Sequence, residues 1–163
     1  MTVTNVVRDP GSLTLTITSQ YAASPERVWR LWDDPRLLER WWGPPTYPAT
    51  FVEHDLREGG RAVYFMTGPE GDRHHGFWRV TSLDAPRHLE FENGMADAAG
   101  VALVDPPAMV VRVALTERTP GVTLMDIVSA FPSAAAMERY LSMGLSEGMS
   151  AALGQTDALL DRG

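Results

Sequence analysis

Ala23-Ser-Pro-Glu-Arg-Val-Trp-Arg-Leu-Trp-Asp-Asp-Pro-Arg-Leu-Leu-Glu-Arg-Trp-Trp-Gly-Pro-Pro45 holds four of the chain's five tryptophans and reads as two short helices running into a turn. Ser24 is a good N-cap, Pro25 suits the first helical position, and Glu26 falls in the first turn, at the positive end of the helix dipole. Val28, Leu31 and Trp32 then share one helical face. Pro35 restarts the chain, and Leu37, Leu38 and Trp41 give a second short apolar face. Trp42-Gly43-Pro44-Pro45 cannot continue a helix.

Strands lie on both sides of this run. Before it, Leu13, Leu15 and Ile17 alternate with Thr14, Thr16 and Thr18, the period of a half-buried strand. After it, strands are predicted over 48–57 and 61–67 around the Gly59-Gly60 turn, then over 74–82, near 88–92, and over 109–118 and 122–131 around Thr119-Pro120-Gly121. Counting the first, this is a seven-stranded antiparallel meander. A long helix is expected from Ser133 to about residue 161, with Met137, Tyr140, Leu141, Gly144, Glu147 or Gly148, Ala151, Gln155 and Leu159 on one face. Gly144, Gly148 and Gly154 inside it each cost about 1 kcal/mol relative to alanine, so close packing or room for a ligand is expected to compensate.

The order of strand, two short helices, many strands and long helix resembles the START/Bet v 1-like (SRPBCC) superfamily, and within it the branch of activator-of-Hsp90-ATPase-homologue-like proteins. The resemblance rests on Ser24-Pro25 with Val28-Trp29, Asp34-Pro35, Trp41-Trp42-Gly43-Pro44, Asp55-Leu56-Arg57-Glu58-Gly59-Gly60 and Met143-Gly144-Leu145-Ser146-Glu147-Gly148, and covers roughly residues 12–161. It implies an α+β helix-grip fold. In that fold a curved seven-stranded antiparallel sheet wraps a long C-terminal helix, with two short helices between the first and second strands. Residues 1–11, closed by Asp9-Pro10-Gly11, read as a flexible arm, and 12–163 as one domain.

Composition closes several kinds of chemistry. The chain has no cysteine and no lysine, all 14 basic residues being arginine, so thiolate catalysis, Cys-based zinc sites and Schiff-base formation have no residue to carry them. A net charge of -7 with scattered arginines disfavours nucleic acid and anionic membrane surfaces. No apolar run reaches membrane-spanning length, and the polar N-terminal residues give no secretory core, so a cytoplasmic protein without membrane insertion is expected. His74 and His75, adjacent on a strand, point to opposite faces and cannot chelate one ion together; neither a metal nor a cofactor is expected.

The resemblance implies a cavity for an apolar molecule between sheet and helix, and strand parity says which side chains face it. The inward sets are Val52, His54 and Leu56; Ala62, Tyr64 and Met66; His74, Gly76, Trp78 and Val80; then Leu89, Phe91, Met109, Val111, Val113, Leu115, Met125 and Ile127. A single β-bulge inverts any of them. The candidate ligand-binding residues are Trp42, His54, Tyr64, Met66, His74, Trp78, Met109, Tyr140, Met143 and Glu147. Polar groups among them need hydrogen-bonding partners if buried. Trp41-Trp42-Gly43-Pro44 reads either as a seal on one end of the sheet or, through Trp42, as a cavity wall.

Three functions are consistent with this reading. The first is binding of a small hydrophobic, ring-containing molecule. The second is a cyclase- or dehydratase-type enzyme using the same cavity, with His74 and Glu147 as acid and base, although Glu147 on the helix flank would simply reach solvent. The third, carried by the branch's name, is a chaperone-associated interaction module, for which the sequence offers no docking site. Residues 93–107 read as either a portal flap over the cavity or a hairpin loop packed on the surface. Val122, Leu124, Val128 and Ala130 give an apolar outer stripe that admits a homodimer.

Overall fold

Ser24 Oγ accepts the Arg27 N–H as Pro25 opens α1 (Pro25–Asp33), and Asp34 Oδ1 accepts the Arg36 N–H ahead of α2 (Pro35–Leu38). The Ser24 cap is where the sequence puts it, and α2 restarts at Pro35 as expected, in a computed structural model that describes residues 3–161. Val28, Leu31, Trp32 and Leu38 are fully buried, so the apolar faces of both helices pack inward. Trp41 closes the turn by donating its indole N–H to the Leu31 carbonyl at 2.8 Å.

The sheet has eight strands: β1 (Val3–Asp9), β2 (Thr14–Tyr21), β3 (Ala49–His54), β4 (Arg61–Thr67), β5 (Arg73–Asp84), β6 (His88–Met95), β7 (Met109–Thr119) and β8 (Val122–Ala130). All pairings are antiparallel, in the open order β1-β2-β8-β7-β6-β5-β4-β3. The eighth strand is the correction to the expected arm. Val3–Asp9 pairs with β2 from Val3 opposite Ser19 to Asp9 opposite Thr14. Nearly all of its side chains are exposed, so main-chain hydrogen bonds hold it and no period-two alternation marks it in the sequence. The part of the expected arm at residues 1–2 lies outside the described residues.

Parity holds on β4 to β8, where Ala62, Tyr64, Trp78, Val80, Leu89, Phe91, Met109, Val111, Val113, Leu115, Met125 and Ile127 are all buried. It fails on β3. There the register slips between Phe51 and Glu53, a bulge that makes Val52 the extra residue. Val52 is 68% exposed and Phe51 takes the inward place at 5%.

The C-terminal helical stretch runs in three segments, α3 (Ala134–Ser142), α4 (Leu145–Leu153) and α5 (Thr156–Asp161). Ser133 Oγ caps α3 by accepting the Ala136 N–H at 3.1 Å. Gly144, at φ +88°, breaks the first segment from the second, a conformation that side-chain-bearing residues rarely adopt. The break also rotates the buried face. Met137 and Tyr140 are buried on α3, but on α4 the buried positions are Ser146, Ala152 and Leu153, while the expected Ala151 is exposed.

The tip of the 96–108 connection lies against the outer face of the sheet. Ala98, Ala99 and Gly100 line a shared groove with Val63, Phe65 and Arg73 there, Gly100 lying against Val63, and Ala96 bridges to Ala102. Of the two readings of this segment, the packed hairpin fits this placement. Its far end reaches α3, where Tyr140 donates to the Pro107 carbonyl and Arg139 pairs with Asp105. The outer-stripe residues Val122, Leu124, Val128 and Ala130 are each half-buried within the single chain.

Candidate functional site

A cavity of about 240 Å³ opens between the inner face of β4 to β7 and the α3–α4 junction. The concave sheet supplies Tyr64, Met66, Gly76, Asn93 and Met109. The helices supply Tyr140, Met143, Leu145, Gly148 and Met149, and the turn after α2 adds Trp42 and Pro44. Five of the chain's eight methionines (Met66, Met95, Met109, Met143 and Met149) are on its wall. Methionine is unbranched and polarisable, so such a wall adapts its shape to a guest. Among the described residues no Asp, Glu or Arg lines the cavity.

Behind the wall the tryptophans interlock. Trp42 meets Trp78 edge-on at 4.9 Å and Tyr64 at 6.0 Å, while Trp78 stacks on Phe91 at 4.2 Å. Trp32 stands at the centre, within 6.2 Å of Trp41, Trp42, Trp78 and Phe91. The two readings of the Trp41-Trp42 turn therefore divide between its residues: Trp41 is sealed in the core and Trp42 is cavity wall.

The structure brings seven of the ten candidate residues to the cavity: Trp42, Tyr64, Met66, His74, Met109, Tyr140 and Met143. The other three are corrected. His54 keeps the inward face opposite Ala62, but outside the cavity lining, its Nε2 lying 3.0 Å from the Trp32 carbonyl oxygen. Trp78 faces inward as parity requires, but with no exposed surface it sits behind Trp42. Glu147 projects into solvent, 71% exposed, and pairs with Arg8 at 3.3 Å, since the break at Gly144 turns its helical face outward. His74 is at the cavity rim and is held by Asp72, Nε2 to Oδ2 at 2.7 Å. The acid and base of the enzymatic reading thus do not meet.

The polar groups of the cavity are few and mostly engaged. The Tyr140 hydroxyl donates to the Pro107 carbonyl at 2.8 Å. Asn93 Nδ2 donates both to the Phe77 carbonyl and to the Tyr64 hydroxyl, each at 3.1 Å. Burial pushes the Tyr64 phenol above its ordinary value, against smaller opposing pulls from Trp42 and Asn93. Burial also raises Tyr140, with Tyr64 adding and Arg139 opposing. Trp42 Nε1 is buried and makes no hydrogen bond of ordinary geometry, although the indole lies close enough to the phenol to lower its proton affinity.

Asn93 is the site residue that sequence reasoning missed. It continues the parity of Leu89 and Phe91, and taking β6 one residue beyond the expected 88–92 would have placed it inward. Leu145 and Met149 were hidden by the phase change at Gly144. Among the described residues no group of His, Asp and Glu is placed to hold a metal ion, and no helix is long and apolar enough to cross a membrane.

Solved structures of the same architecture exist. A crystal structure of a Mycobacterium smegmatis protein is 46% identical, with TM-score 0.89 over 97% of this chain and 96% of that one. A solution structure of an Arthrobacter aurescens protein is 42% identical, with TM-score 0.94 over 99% of this chain and 94% of that one. A protein from Silicibacter pomeroyi, at 22% identity and TM-score 0.71 over 91% of this chain and 97% of that one, shares the fold. No curated protein matches the sequence. The family of Activator of Hsp90 ATPase homolog 1-like proteins matches residues 22–161, which span β3 to β8 and every helix, and the chain belongs to that family.

Proposed function

We propose that the protein binds a small hydrophobic, ring-containing molecule in the cavity between the sheet and the C-terminal helices. The observation that carries this is the wall itself: about 240 Å³ lined by five methionines and by Trp42, Tyr64 and Tyr140, with no Asp, Glu or Arg. Ligand sites are concave and mainly apolar with a few oriented polar groups, and this one falls just under the roughly 300 Å³ at which pockets for drug-sized molecules begin. A one- or two-ring guest fits that size. Membership of a family of ligand-binding kind supports the same reading.

Native mass spectrometry of the freshly purified protein, with denaturing release of anything bound, tests it. A reproducible small apolar adduct is expected, and titration of the stripped protein with naphthalene-sized compounds should raise the melting temperature and change the emission of Trp42. A clean mass, together with no thermal shift from any such compound up to its solubility limit, overturns the reading.

A further inference from the structure

We propose that the cavity selects a neutral apolar molecule bearing a carbonyl group, and that the Tyr64 hydroxyl, oriented as a donor by Asn93, receives that carbonyl. This rests on the cavity being a ligand site.

The direction of one hydrogen bond decides the matter. Asn93 Nδ2 lies 3.1 Å from the Phe77 carbonyl oxygen, and a carbonyl only accepts, so the amide must present its NH2 on that side. The second proton of the same NH2 goes to the Tyr64 oxygen, also at 3.1 Å. Tyr64 is therefore an acceptor toward Asn93, and its own proton points elsewhere. Among the described residues no acceptor takes it. Beside it, Trp42 Nε1, on a side chain only 4% exposed, makes no hydrogen bond of ordinary geometry and lies against the same phenol oxygen. Among the described residues, one end of the cavity thus holds a phenol proton with no acceptor and an indole N–H poorly matched to the phenol oxygen, an arrangement that costs free energy until an acceptor arrives.

Two further features shape the guest. Among the described residues no Arg or Lys lines the cavity and the rim His74 is already paired with Asp72, so a carboxylate or phosphate would leave water without a guanidinium or ammonium to meet it, whereas a neutral carbonyl costs far less to desolvate. Gly76 is what lets the phenol reach this place: a Cβ there would lie 2.5 Å from both the Tyr64 hydroxyl oxygen and Cζ. The phenol lies across the β5 backbone at the one residue without a side chain.

The test compares 2-acetylnaphthalene with 2-isopropenylnaphthalene, which replaces C=O by C=CH2 at nearly the same shape, on the full chain by calorimetric titration. Tyr64→Phe is expected to weaken the ketone roughly five- to tenfold and the alkene less than about twofold. The infrared C=O stretch of the bound ketone should lie lower in the wild type than in Tyr64→Phe. Asn93→Asp replaces the amide donor by an acceptor and draws the phenol proton away, so it should raise the stretch as Tyr64→Phe does while still binding the alkene. If ketone and alkene respond alike to Tyr64→Phe, the carbonyl assignment falls and the ligand-binding reading survives. If the wild type binds neither compound, the carbonyl assignment falls, and the ligand-binding reading is decided by the native mass and the thermal-shift series. A low stretch retained in Asn93→Asp overturns the positioning role of Asn93.

Discussion

Glu147 and its partner Arg8 are 71% and 48% exposed, and their 3.3 Å ion pair ties α4 to the edge strand β1 across the surface. Exposed pairs of this sort contribute little, because solvent screens the attraction and two long side chains lose freedom. Glu147→Gln is therefore expected to change the unfolding free energy by less than about 0.5 kcal/mol and to leave naphthyl-ligand affinity unchanged, as urea titration and calorimetry would show. A large loss of binding would return Glu147 to the cavity. Its misplacement shows what single residues reveal in a sequence: Tyr64, Met66 and Met109 could be assigned because a strand alternates without interruption, whereas Glu147 follows a helix break whose phase change leaves no mark in residue type. Trp78 teaches a second limit. Parity gives its direction correctly but not its depth, and Trp42 stands between it and the cavity.

Among the elements, α4 is built around a glycine that packing does not explain. A Cβ on Gly148 would meet nothing within 4 Å, yet the residue lies on the cavity wall. Of the two compensations expected from the sequence, room for a guest fits and close packing does not. Gly148→Ala should then stabilise the protein by up to about 1 kcal/mol through helix propensity. Gly148→Leu should keep or raise the melting temperature while displacing the ligand, since its side chain enters the space the guest occupies. A Gly148→Leu protein that binds as tightly as wild type would sink this account. At this scale most of the fold was legible. Caps at Ser24 and Ser133 and alternation on β4 to β8 carry strong local signals, while the β3 bulge at Val52 and the two-sided exposure of β1 depend on pairings that local pattern does not encode.

The whole molecule has an unusual titration. With no lysine and no cysteine, its four tyrosines are the only side chains that ionise between about pH 9 and 12, arginine holding its proton beyond that range. Three of them, Tyr21, Tyr64 and Tyr140, are raised, chiefly by burial. Tyr21 is pushed up to about 12, its hydroxyl 2.9 Å from Thr156 Oγ1 where β2 meets α5. Below pH 10, the ordinary tyrosine value, folded and unfolded chains both keep the Tyr21 proton and its contribution is complete. As pH rises from there toward about 12 the unfolded chain ionises first, so stability is lost, by an amount on the order of 2–3 kcal/mol for a shift of this size. The midpoint of urea unfolding should therefore hold steady from pH 8 to 9.5 and fall steeply toward pH 11.5. Tyr21→Phe, somewhat less stable at neutral pH for want of the Thr156 hydrogen bond, should fall less steeply, keeping only the slope that Tyr64 and Tyr140 supply. Tyrosinate absorbance at 295 nm, followed in the same samples, ties that loss to the phenols. An equal slope in wild type and Tyr21→Phe would mean that Tyr21 does not couple its proton to the packing of β2 against α5.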